Sequence, residues 1–168
     1  MSRAPARWIS LSIALAACHG SSPQAQAPRD AVLSGAVTGA GAGAAVSDCS
    51  TWPQWVKVNA ARYRSAGHGG RWVDVYVEAE HVDAYVTGGV APVGMRIIKA
   101  GYADEAGTNF QALTVMGKMA PGYDPDGGDW YYGVLDRDGR TAKLQGKLEM
   151  CRDCHDTADV DFRFGLPE

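Results

Sequence analysis

Apolar and polar side chains alternate most cleanly over residues 71–78. Val73, Val75 and Val77 fall on one side, with Trp72, Asp74, Tyr76 and Glu78 on the other. A period of two predicts a half-buried strand. Residues 95–102 read as a second strand. Residues 110–119 read as a third, apolar on both sides and therefore central. Residues 130–135 read as a fourth, closed by the turn Asp138-Gly139. Val160 to Phe164 reads as a last strand. Ser50 or Thr51 with Pro53 predicts a short helix reaching about Asn59, and residues 80–87 suit one or two helical turns. Leu144, Leu148, Cys151 and His155 recur at i, i+4, i+7 and i+11, which predicts one helical stripe. Short strands joined by tight turns, such as Gly67-His68-Gly69-Gly70 and Pro125-Asp126-Gly127-Gly128, predict an α+β fold. It is mainly antiparallel, one sheet with short helices and a C-terminal helix.

That last helix carries the chemistry. Cys151-Arg152-Asp153-Cys154-His155 is C-x-x-C-H, the attachment pattern of a c-type haem. On a helix the two thiols and the imidazole face the same way, so both thiols reach the porphyrin vinyl groups while His155 reaches the iron. A structural zinc would need a second ligand pair, and Cys18, Cys49, His19, His68 and His81 show no such spacing. A thioredoxin-type dithiol belongs at a helix N-terminus within a βαβ unit, a setting this sequence does not offer. The expected cofactor is one covalent haem c.

The N-terminal segment changes the compartment. Arg3 and Arg7 precede an apolar run from Trp8 to Ala17, too short to span a bilayer and suited to a signal peptide over residues 1–17. Leu15-Ala16-Ala17-Cys18 resembles a bacterial lipobox, making Cys18 the expected lipidated residue of an exported, periplasmic protein. Residues 18–47, rich in Ala, Gly, Ser and Pro, read as a flexible tether, and residues 48–168 as the haem domain. Membrane contact is expected through the lipid alone. Cys49 is left as a buried small side chain. Removing residues 1–17 takes away two arginines and no acid, leaving 14 basic against 19 acidic side chains. No basic run points to nucleic acid.

Position within the chain narrows the class. C-x-x-C-H lies late, no Met follows it, and the preceding pattern is strand-like, unlike the small cytochromes c or the helical cytochromes c′. Trp55-Val56-Lys57-Val58-Asn59, Ser65-Ala66-Gly67-His68-Gly69-Gly70-Arg71 and Val73-Asp74-Val75-Tyr76-Val77 come first. Gly94-Met95-Arg96-Ile97-Ile98-Lys99, Pro121-Gly122-Tyr123-Asp124-Pro125, Gly128-Asp129-Trp130-Tyr131-Tyr132-Gly133 and Gly146-Lys147-Leu148 follow, and Asp161-Phe162-Arg163-Phe164 comes after the haem motif. This order resembles the cytochrome P-460 family, which includes the β-type cytochromes c′. The resemblance implies a five-stranded antiparallel sheet, a homodimer, and His155 as the one protein ligand of an iron with an open distal side. Some members oxidise hydroxylamine to nitric or nitrous oxide, passing electrons to a redox partner. Others bind nitric oxide.

In hydroxylamine-oxidising members a lysine at the end of the second strand is bonded to the porphyrin edge, and Lys99 is the matching position. Alternation puts Lys99 on the face of Met95 and Ile97. The chain departs from the family beside it, with Ala91-Pro92 for an aromatic-Pro and Ala100 for an acid. The bland alternative is a lysine whose stem covers apolar surface and whose ammonium reaches water. His68 reads as a turn residue bonded to backbone; as a sixth ligand it would favour electron transfer. Met95, Met116 and Met119 read as core and His81 as surface. Asp124, Asp126, Asp129 and Glu149 are the acids available as proton acceptors. The functions expected are hydroxylamine oxidation or turnover of a related nitrogen oxide, with nitric oxide binding and electron carriage as alternatives.

Overall fold

The computed structural model describes residues 47–167. The expected signal peptide, the expected lipidation site Cys18 and the expected tether up to Val46 lie outside the described residues. Seven strands form one sheet: β1 (Val56–Lys57), β2 (Tyr63–Ser65), β3 (Arg71–Val77), β4 (Arg96–Tyr102), β5 (Phe110–Lys118), β6 (Trp130–Leu135) and β7 (Ala142–Gly146). The order is β1-β3-β4-β5-β6-β7, with β2 also on β3, and every pair is antiparallel. Two short α-helices lie wholly within the described residues, α1 (Val82–Thr87) and α2 (Glu149–His155). The four long strands stand where alternation put them, and β5 is internal as its two apolar faces require. Seven strands replace the five the resemblance implied, because β1 and β2 share the free edge of β3 and β7 covers that of β6.

Three expectations are corrected. The segment 50–59 holds only a 3-10 turn, Trp52–Gln54, before the chain extends at Trp55 and enters β1. Residues 160–164 are not a strand: Asp161 and Phe162 have φ of 46° and 59°, and pairing is limited to one Val160–Arg163 bridge. Leu144 is in β7 opposite Val134, half exposed at the edge, so the helical stripe begins only at Leu148. β6 offers unpaired backbone there, and its hydrogen bonds outweigh a spacing that matched by coincidence.

Each face of the sheet carries a core. Cys49, Trp52, Ile98, Ala100, Leu113 and Leu135 form one cluster, and Cys49 is fully buried, as the small-apolar reading expected. Val75, Val77, Met95, Ile97, Met116 and Trp130 form the other, onto which α2 brings Leu148 and Cys151. β3 is therefore covered on both sides, not half-solvated. Its Asp74 is 2 % exposed and pairs with Arg62 at 2.6 Å and Lys57 at 2.9 Å. Burial works against that charge, but the hydrogen bonds from Arg62 and Lys57 outweigh it and hold the carboxyl below its usual pKa. A depressed folded pKa stabilises above the unfolded value of about 4 and loses that contribution as pH falls through the folded value. The midpoint of urea unfolding is expected to drop on acidification below about pH 4, and Asp74→Asn to flatten that part of the curve. An unchanged slope in Asp74→Asn would remove Asp74 from the acid sensitivity.

Candidate functional site

Pairing register builds the floor of the site. Lys99, Thr114 and Val134 are opposed in one row across β4, β5 and β6; Ile97, Met116 and Tyr132 form the next row on the same face. All six line one cavity of about 630 Å³, within the ~300–1,000 Å³ usual for cofactor and ligand sites. Its other walls come from α2, from the 3-10 turn Ala66–His68, and from the segment 164–167. Cys151, Cys154 and His155 all line it, as does Lys99, so the four site residues named from the sequence meet in one space.

His155 is buried, with its ring between those of Tyr132 and Phe164 at 5.5 and 5.3 Å. Its Nδ1 is 2.7 Å from the Phe162 carbonyl. A carbonyl only accepts, so the proton sits on Nδ1 and Nε2 keeps its lone pair, the arrangement of metal-ligating histidines. Burial lowers its pKa and Lys99 adds to this, while the bond to Phe162 opposes. The turn that replaces the expected strand is thus what presents the Phe162 carbonyl. Asp161 ties it down: its carboxylate takes Lys118 Nζ at 2.8 Å and the Ala91 N–H at 2.7 Å, and its carbonyl takes Trp130 Nε1 at 2.9 Å.

The rivals of haem fit poorly. Burial, with Cys154 adding to it, raises the Cys151 thiol's pKa, the opposite of what a redox dithiol needs. Among the described residues, the ligand atoms of Cys151, Cys154, His155 and His68 do not converge on a point as a zinc site requires; the one group that does is Glu78, Glu80 and His81 elsewhere. Haem fits: two thiols and a tautomer-fixed imidazole wall a large, mainly apolar cavity. The hydroxyl of Tyr132, also on its wall, is buried without a hydrogen-bond partner among the described residues.

Lys99 lies mid-strand in β4 rather than at a strand end, half-buried, and makes no ion pair among the described residues. Burial lowers its pKa, opposed by Cys154. The surface-lysine alternative is therefore disfavoured. His68, expected to be a turn residue bonded to backbone, lines the cavity and bonds the Ser65 side chain instead, at 2.7 Å from Nδ1 to Oγ. Burial lowers its pKa to about 3, with Lys99, His155 and Arg71 contributing. Two glycines following it with φ near 70° were the available signal, since they fix which way the turn presents its histidine. Met95, Met116 and Met119 are core as expected, although Met116 also reaches the cavity. His81 is largely buried beside Glu78, not on the surface. Asp124, Asp126, Asp129 and Glu149 are absent from the cavity walls: Asp129 braces its loop by accepting from Gly122 and Asp124, and Glu149 projects to solvent.

No curated protein matches the chain. A family model described as Cytochrome P460 matches residues 49–164, the whole of the sheet together with the C-x-x-C-H helix. The chain belongs to the cytochrome P460 family of haem proteins.

Proposed function

We propose that this protein is exported, is lipid-anchored at Cys18 in the periplasm, and works as a homodimer carrying one covalent haem c per chain. Cys151 and Cys154 hold the haem by thioether bonds and His155 ligates the iron. Bound there, the haem supplies a redox-active iron that takes a small nitrogen oxide. The reaction is oxidation of hydroxylamine, with Lys99 bonded to the porphyrin edge. The observation that carries this reading is the placement of Lys99. Its side chain lines the same cavity as both thiols and His155, without an ion-pair partner among the described residues, where burial favours the neutral, nucleophilic form. Replacing a porphyrin hydrogen by that amine releases two protons and two electrons, which a peroxide takes on reduction to water. Oxidising hydroxylamine to nitric oxide releases three protons and three electrons, the electrons passing to a redox partner.

A second reading, nitric oxide binding without turnover, is favoured by the absence of any carboxylate among the described residues lining the cavity. A proton acceptor is what hydroxylamine oxidation needs there. The holoprotein is expected to consume hydroxylamine with a dye as electron acceptor, and its Soret band to lie well to the red. Lys99→Ala is expected to restore an ordinary c-type spectrum. A spectrum indifferent to Lys99→Ala would sink the cross-link. Nitric oxide binding without hydroxylamine consumption would select the second reading.

A further inference from the structure

A second cavity, of about 480 Å³, shares a wall with the first: Phe164, Gly165 and Leu166 line both. The end of α1 and the turn after α2 complete it. Arg163 lines this second cavity and is 6 % exposed. Its partners are neutral. It donates to the carbonyls of Gly89 and, at 3.4 Å, Ala84, and reaches the Met95 sulfur at 4.0 Å. Its Nε has no hydrogen-bond partner among the described residues. A buried cation ordinarily has a carboxylate beside it. Arg62, Arg96 and Lys118 have theirs. Arg163 has none among the described residues.

A guanidinium held out of water with a free N–H is a receptor for a planar anion. The other walls set which one. Val86, Val160, Phe164 and Leu166 are apolar, so the space beyond the charge suits a hydrocarbon body. Burial raises the Tyr85 hydroxyl to about 12, with Tyr63 adding and Arg163 opposing, so it keeps its proton and can donate. Asp159, exposed on the same cavity, disfavours a second negative charge. We propose that the Arg163 cavity binds an organic monocarboxylate, its carboxylate on the guanidinium and its body among the apolar side chains. The site is also placed to act on the iron ligand. Arg163 stands between Phe162, whose carbonyl accepts from His155 Nδ1 at 2.7 Å, and Phe164, whose ring is 5.3 Å from that of His155. Occupancy reaches the haem through these two neighbours, which makes the carboxylate an effector rather than a substrate. That coupling rests on His155 as the iron ligand; the binding itself does not.

Calorimetric titration of the holoprotein with hexanoate is the test. Saturable one-to-one binding is expected. Hexanamide, which lacks the charge, and adipate, which carries two, should each bind about tenfold more weakly or worse. Arg163→Gln is expected to lower hexanoate affinity roughly ten- to a hundredfold. Because the guanidinium also holds Ala84 and Gly89, Val86→Glu is the companion variant. Val86 is 66 % exposed on α1, where glutamate keeps the helix, and its charge should weaken hexanoate about tenfold with an unaltered circular dichroism spectrum. Saturating hexanoate should also shift the haem midpoint potential in the wild type and not in Arg163→Gln. Equal binding of hexanamide, or hexanoate binding that both variants leave unchanged, overturns the site. So does absence of binding to the holoprotein, and if the Cys151→Ala, Cys154→Ala protein then binds hexanoate, Arg163 belongs to a haem propionate. Binding with an unmoved potential overturns the coupling. A denaturing gel stained for haem peroxidase activity checks the haem attachment separately, so its failure is not read as a failure of the carboxylate site.

Discussion

Replacing Cys151 and Cys154 together by alanine is expected to leave a folded protein with no covalently held haem, because Lys99 bonds only a porphyrin that the two thioethers already hold. Both thiols are on α2, three residues apart, and both line the cavity. Neither is deep in the core: Cys151 is half-buried and Cys154 exposed. Truncating either therefore removes little packing, within about 1 kcal/mol, and circular dichroism should show an unaltered sheet. The haem, by contrast, should migrate off the polypeptide completely on a denaturing gel. Each single variant keeps one thioether and should retain covalent haem with one vinyl group unreacted, read as a red-shifted pyridine haemochrome band. A double variant that still carries haem through denaturation would place the attachment elsewhere, and Lys99 would be the residue to examine, since its amine faces the same space. The double variant separates the two covalent links assigned to the cofactor, which a spectrum alone does not.

The haem residues were legible because they are local. Three groups within five positions of one helix share a face by helical geometry, and no distant contact has to be known. Lys99 was legible for a similar reason, since alternation along β4 fixes its face once Ile97 is known to be apolar. The strands β3 to β6 announced themselves through the same period. What escaped was decided by pairing across the chain. β2 and β7 are edge strands with few buried side chains, so neither shows a clean alternation, and each exists because a longer neighbour had backbone groups to satisfy. Residues 160–164 looked like a strand because Val160, Phe162 and Phe164 alternate. Their conformation is set instead by Lys118, 43 positions away from Asp161. The cavity-facing role of His68 was hidden in a glycine-rich turn, where no periodicity tells which way a side chain points. The acids near the site misled for the opposite reason. Asp124 and Asp129 are close in sequence to cavity residues but serve their own loop.

Asp161→Ala is expected to cost about 3–5 kcal/mol, the range for stripping one partner from a buried ion pair, and to disturb the iron without touching it. The side chains of Lys118 and Asp161 are 9 % and 11 % exposed. Without the carboxylate, Lys118 keeps the Gly128 carbonyl at 2.7 Å and the face of Trp130 at 4.9 Å, but no negative charge. Ala91 loses the acceptor for its N–H. Alanine also tolerates the φ of 46° at this position less well than Asp or Asn does, adding about 1 kcal/mol. Asp161→Asn is the informative companion, since it keeps the backbone preference and a hydrogen-bonding oxygen while removing the charge, and it should be the milder change in urea unfolding. The functional consequence passes through the next residue. Phe162 presents its carbonyl to His155 Nδ1 only while Asp161 holds the turn, and a proximal imidazole that loses that bond is a weaker, less oriented ligand. The midpoint potential of the haem is therefore expected to rise in Asp161→Ala, because a weaker donor stabilises the ferric state less. Lost stability with an unmoved potential would confine Asp161 to folding. A moved potential in Asp161→Asn, where the turn is retained, would instead make the charge itself the cause.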